Sequence, residues 1–366
     1  MKVQLQDIVR GQAFSITEEL DFSFLSLTGR NLYHNKEFFG EKIVVAVVDS
    51  GVSKHPELEG RILPGFNSHS YYHDRSDATD DHGHGTHVAA SIAGTVCGIA
   101  PAAKILPVKV LGGDGSASIE EVITGLQFIR DWRDENDNTV DIVNMSLSCP
   151  GSYLERSPIG EAFHNIIKEL VSMGILVVAA SGNTGKEEVQ YPAHYQEVVA
   201  VGAVDITEKV TFFSTRNKEV DVCQLGVGVL SANYTGGYIK MSGTSMASPL
   251  VSGIGALIAG RYQKIFGTKI AEPDLYTIMK FSTIDIGVPG VDVESGAGFC
   301  TLNTDPYKIE FVIDSKIMTV NGVSQELDVP PQIVNGRTLV PLRAPFEAAG
   351  GDVEWIGKER RVIINI

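Results

Sequence analysis

The chain has 366 residues, ample for one domain of roughly 250–300 residues and a smaller second one. Its 45 acidic against 30 basic side chains give a formal charge of −15, which repels nucleic acid and anionic membranes, so neither is expected as a partner. The 4 cysteines, Cys97, Cys149, Cys223 and Cys300, have neither metal spacing nor a paired framework and read as buried thiols of a reducing compartment. Residues 1–7 lack the apolar core of a secretory leader. The first strong element is the apolar run 42–48, a parallel strand buried on both faces that ends at Asp49. A helix is expected over 86–93, followed by strands at 105–111, 141–145, 175–180 and 198–201 and helices at 119–133 and 161–173. That alternation predicts an α/β fold with a doubly wound, mostly parallel sheet flanked by helices. The stretch 246–259 is apolar on nearly all sides but too short and glycine-rich to cross a bilayer; it reads as a buried core helix, and no transmembrane segment is expected. After Asn303 the character changes to strands at 309–313, 316–320 and 323–329, with an Asn321-Gly322 hairpin turn, a helical patch to Ala349 and a closing strand at 361–366. The expected division is a short extension 1–17, a main domain 18–304, a linker 305–312 and a small β-rich domain 313–366.

Three segments carry chemistry. Asp49 ends its strand, where open parallel sheets place their sites; His84 lies in His84-Gly85-Thr86-His87; Ser245 lies in Gly243-Thr244-Ser245-Met246-Ala247-Ser248-Pro249. A serine hydroxyl is a poor nucleophile until an imidazole takes its proton, and the imidazole needs a buried carboxylate to fix its tautomer. Each residue also has a bland reading: Asp49 as a turn cap, His84 as a structural histidine, Ser245 as an ordinary helix-start residue. Their conjunction favours the chemical one. His82, His84 and His87 with Asp80 and Asp81 could be mistaken for a zinc cluster, but the usual His-Glu-x-x-His pattern is missing. The acidic loop 74–81 is expected to be a solvated face.

From about residue 22 to 302 the sequence resembles the subtilisin family of serine proteases. The likeness rests on Val45-Ala46-Val47-Val48-Asp49-Ser50-Gly51, His84-Gly85-Thr86-His87-Val88-Ala89, Asn144-Met145-Ser146-Leu147, Ala180-Ser181-Gly182-Asn183 and the Ser245 segment, in family order. It implies a triad of Asp49, His84 and Ser245, with Asn183 and the Ser245 N–H as the oxyanion hole. It also implies an extended peptide substrate held between Gly115-Ser116-Ala117 and Ser146-Leu147-Ser148. Ser148 and Cys149 stand where the family has two glycines, and Ala117 stands where many relatives have one, so the groove is expected to be narrowed, with an apolar preference as the default. Catalysis needs no cofactor. Many relatives hold structural calcium in a loop after the histidine helix; residues 93–101 pass straight through with no oxygen-rich insertion, so that site is expected to be missing, while structural calcium held elsewhere by backbone carbonyls stays open. The short N-terminal extension is similar to the intracellular branch, which implies a cytoplasmic protease acting on proteins or peptides; release to the cell envelope or outside by a non-classical route is the alternative.

The segment 327–343 resembles the small domain named after the N-terminal region of copper amine oxidases. No His or Cys follows Cys300, so no copper is expected there. The small domain is either a packing module or a tether to a further partner. A catalytically weak subtilisin fold that binds through it is the rival to a working endopeptidase.

Overall fold

The computed structural model describes residues 2–5, 9–14, 20–303, 309–320, 323–334, 337–341, 352–356 and 361–365. The chain divides into two compact units, 1–303 and 304–366.

The first unit is built on a nine-stranded sheet. In spatial order its strands are Thr283–Ile284, Phe299–Cys300, Val222–Leu225, Val198–Val204, Leu176–Ala180, Ile142–Met145, Val44–Asp49, Lys104–Lys109 and Phe66–Asn67. All neighbours run parallel except the pair at the Thr283 edge. Val44–Asp49 reads as a continuous apolar run because both its faces are covered. Val45 and Val47 enter one core with Val88, Ile92, Val251 and Ile254, while Val44, Ala46 and Val48 enter the other with Val122, Leu126, Phe163 and Ile167. Each fully buried valine contributes roughly 1.5–3 kcal/mol, so the strand is fixed firmly up to Asp49.

The helices His84–Ala93 and Thr244–Phe266 supply the first of those cores, and Ile119–Asp131 and Pro158–Ser172 the second. The mostly parallel sheet with helices over both faces is the predicted architecture. The helix expected at 86 begins earlier, at His84, because Gly83 at φ 98° turns the chain in the left-handed region that glycine adopts without strain. Thr244–Phe266 is buried from Thr244 through Gly260. Among the described residues no helix is long and apolar enough to cross a membrane.

The second unit contains strands Ile309–Phe311, Ile317–Val320 and Val323–Glu326, and the antiparallel pairs Gln332–Val334 with Arg337–Leu339 and Asp352–Ile356 with Arg361–Asn365. Residues 309–311, expected in a linker, are hydrogen-bonded into this unit. Val320 pairs with Val323 across Asn321-Gly322; that dipeptide and the helical patch before Ala349 lie outside the described residues.

Candidate active site

Asp49 closes the strand Val44–Asp49 at a switch point. The next strand in the chain to join it, Lys104–Lys109, lies on one side, and the following one, Ile142–Met145, lies on the other. Loops leaving these strand ends therefore diverge and open a crevice at the carboxyl edge. His84 reaches it from the start of its helix. Its Nδ1 contacts Asp49 Oδ1 at 2.8 Å and Oδ2 at 2.9 Å, and both side chains are wholly buried. The Ser50 N–H donates to Asp49 Oδ1 at 2.7 Å, which orients the carboxylate. With Nδ1 committed as donor, His84 Nε2 is the acceptor nitrogen, and it has no hydrogen-bond partner among the described residues.

Ser245 is the second residue of its helix. Pro249, four residues on, has no N–H to give the Ser245 carbonyl. Ser146 Oγ fills that vacancy at 2.9 Å, and the Ser245 hydroxyl donates in return to the Ser146 carbonyl at 3.2 Å. The strand end that carries Ser146 and the serine helix are thus locked to each other. Asn183, in the loop after Leu176–Ala180, accepts through Oδ1 from the Thr244 N–H at 2.8 Å and the Thr244 hydroxyl at 2.9 Å. That turns its Nδ2 toward Gly243, where a Cβ would lie 3.2 Å from it. The amide and the first turn of the serine helix therefore border one small space.

The predicted substrate segments follow the two strands that flank Val44–Asp49. Ser118 and Glu121 form a capping box at the start of Ile119–Asp131, which pins the strand Ser116–Ser118 ahead of it. That edge is taken by the chain's own N-terminal segment. Lys2–Gln4 pairs antiparallel with it, Val3 opposite Ala117, and the Leu5 N–H donates to the Gly115 carbonyl at 3.1 Å. Val3 is fully buried and belongs to the apolar core that also contains Ala117, Ile119, Val122, Leu147 and Leu154. Val9–Phe14 then pairs with Tyr238–Ser242, setting Val9 opposite Ser242, and Arg10 donates to the His82 carbonyl at 2.8 Å. Burial, His84 and the Arg10 guanidinium together hold the His82 imidazole below its ordinary pKa. Nothing in the sequence pattern of residues 2–14 signalled this pairing. Leu147 and Ser148 are buried, and the following Cys149–Pro150 pairs with Gln190–Tyr191.

The acidic loop is not a solvated face throughout. Asp80 is buried and accepts five hydrogen bonds, from Ser50 Oγ, the N–H groups of His82, Gly83 and Thr86, and Thr86 Oγ1. Asp81 pairs at 2.5 Å with Lys109, a buried lysine that also donates to the Ser50 carbonyl at 2.6 Å. The unpaired-looking run of carboxylates hid two that each reach a partner far off in sequence, Asp80 to Ser50 and Asp81 to Lys109. His87 Nε2–H donates to the Val229 carbonyl at 3.0 Å, and burial lowers its pKa to about 3, so it is neutral. Among the described residues no group of three or more His, Cys, Asp or Glu is arranged to hold a metal.

Residues 40–298 match the subtilase family, and residues 287–364 match the copper amine oxidase N-terminal domain. The chain is 37% identical over 294 residues to the major intracellular serine protease of Bacillus subtilis, covering 77% of this chain and 88% of that protein. It is 37% identical over 260 residues to the intracellular serine protease of Paenibacillus polymyxa, covering 68% and 76%. To the thermostable alkaline protease of Halalkalibacterium halodurans it is 39% identical over 249 residues, covering 65% and 63%. The chain belongs to the subtilase family. It is a subtilisin-like serine endopeptidase, a hydrolase.

Proposed function

We propose that Asp49, His84 and Ser245 form the catalytic triad. The observation that carries this reading is the buried His84, with Nδ1 bound to both Asp49 oxygens and Nε2 left for a substrate-side proton. Rotation of the Ser245 side chain away from the Ser146 carbonyl brings Oγ to Nε2. Oγ attacks the scissile carbonyl carbon as His84 takes its proton, and Asp49 stabilises the imidazolium. Collapse of the tetrahedral adduct passes that proton to the leaving amine and leaves an acyl-enzyme, which water then hydrolyses by the same route. Asn183 Nδ2 and the Ser245 N–H receive the developing oxyanion. Fluorophosphonate labelling followed by mass spectrometry tests the assignment: the tag belongs on Ser245. Asn183→Ala should lower turnover by on the order of 10²–10³, a magnitude measured for the equivalent asparagine of a subtilisin, with the tag still on Ser245; unchanged turnover would remove Asn183 from the hole.

The substrate is a protein or peptide laid as a strand along Ser116–Ser118 and beside Ser146-Leu147-Ser148. The apolar surroundings of Val3 support a preference for apolar side chains with otherwise broad specificity. The two relatives named intracellular support a cytoplasmic place of action.

No cofactor takes part in the reaction. The family's loop calcium does not fit this chain either. Glu57 spends its carboxylate on the Val96 and Cys97 N–H groups and the Tyr238 hydroxyl, and the Arg30 guanidinium donates to the Val96 and Gly98 carbonyls. A protein cation thus sits on the oxygens a metal would need. Calcium should not be found bound near residues 93–100; a large chelator-induced drop in thermal midpoint together with calcium seen there would refute this.

All the proposed site residues precede Asn303, which itself is tied back by Nδ2 to the Ser26 and Leu27 carbonyls at 3.0 and 3.1 Å. A chain ending at Asn303 should therefore cleave a short chromogenic peptide at nearly the full-length rate. If it folds by circular dichroism but is inactive, the second unit completes the site and does more than bind a further partner.

A further inference from the structure

We propose that Asp80 is a positioning residue for catalysis, holding Asp49 in register with His84; the inference rests on the triad reading above. Asp49 ends a strand and His84 opens a helix, so nothing within either element fixes their separation. Proton transfer tolerates little error: a shift of about 1 Å can cost on the order of 10²-fold. The partners of Asp80 fall into two sets. Oδ1 accepts from Ser50 Oγ at 2.8 Å, next to Asp49, and from the His82 and Gly83 N–H groups at 3.0 and 2.8 Å. Oδ2 accepts from the Thr86 N–H at 2.9 Å and the Thr86 hydroxyl at 2.6 Å, in the first turn of the His84 helix. One carboxylate therefore clamps both elements.

The link to the reacting groups is short. Ser50 Oγ, while donating to Asp80, accepts from the Gly85 N–H at 3.0 Å, and the Ser50 N–H orients Asp49 Oδ1. Lys109 holds the Ser50 carbonyl from the other side. Gly83, the residue before the helix, has no side chain to cap it, so Asp80 also supplies the acceptor that the first-turn N–H groups lack, with its charge at the favourable end of the helix dipole. Only a carboxylate accepts on both oxygens. An asparagine would keep the Oδ1 set but aim an N–H₂ at the Thr86 donors.

The test uses the full chain with Asp80→Asn and Ser50→Ala. Kinetics on a short chromogenic peptide are read with the downfield proton resonance of the His84–Asp49 hydrogen bond. Asp80→Asn should lower kcat by about 10–100-fold with KM changed less than about twofold, and the proton resonance should shift or broaden. Ser50→Ala, which removes the hydroxyl that joins Asp80 to the Asp49 strand end and to the Gly85 N–H but keeps the Asp80–Thr86 bonds, should move kcat and the resonance the same way; it decides the matter if Asp80→Asn does not fold. Parental kcat in either folded variant, or a loss confined to KM, overturns the proposal. If the unmodified protein itself is not tagged at Ser245, the triad reading falls as well; normal tagging with unaffected variants removes Asp80 alone.

Discussion

Ser245→Ala should abolish both peptide hydrolysis and fluorophosphonate labelling while leaving the fold intact. The side chain is small, its removal opens no large cavity, and Ser146 Oγ still satisfies the Ser245 backbone carbonyl. The expected loss of turnover is on the order of 10⁶-fold, the size measured for this constellation in a subtilisin, with residual rate from the oxyanion donors alone. His84→Ala should lose about as much, because nucleophile and base act as one unit. Additive losses in the double variant would mean that they do not. Label on another serine, or substantial activity in Ser245→Ala, would end the proposed mechanism.

Val3→Asp should raise activity toward a short peptide, on the order of tenfold. Val3 lies where a substrate strand is proposed to lie, paired with Ala117 and buried among apolar side chains. A tethered segment competes at an effective concentration of about millimolar. An unpaired carboxylate in that apolar site costs several kcal/mol. Three cross-strand pairs, at about 0.2–1 kcal/mol each, do not offset that, so the segment should leave the edge. The catalytic residues are untouched by the substitution. Initial rates at substrate concentrations below KM check it directly. A rate equal to that of the unmodified protein would mean that residues 2–5 do not obstruct substrate.

Much of the fold was legible because its signals are local. The run ending at Asp49 is apolar without alternation, which happens only when both faces of a strand are covered. The segments around His84, Asn183 and Ser245 carry short motifs of glycine and small residues, and at Gly243 the glycine permits a tight turn from the strand Tyr238–Ser242 into the serine helix. Pro249 is similar: its missing N–H follows from the sequence, though not the identity of Ser146 as the donor that replaces it.

What escaped the sequence is whatever depends on residues far apart in the chain. Asp80 looked like one more surface carboxylate because its partners, Ser50 and Thr86, meet it only after strand and helix have packed. Lys109 lies within the strand expected at 105–111, and its burial is tolerable only because Asp81 and the Ser50 carbonyl accept hydrogen bonds from its ammonium. The N-terminal strand is the strongest case. Residues 2–4 have no pattern that selects a partner, and an unpaired edge is available at Ser116–Ser118 only once the capping box at Ser118 has set that strand. The sequence by itself determined the sheet and the helices and pointed to the residues proposed for the chemistry, since periodicity and turn chemistry act over a few neighbours. The tertiary structure alone decided which donors Asp80 receives from the Asp49 strand end and the His84 helix and what pairs with the Ser116–Ser118 edge, because hydrogen bonds and burial between distant segments exist only in the packed chain.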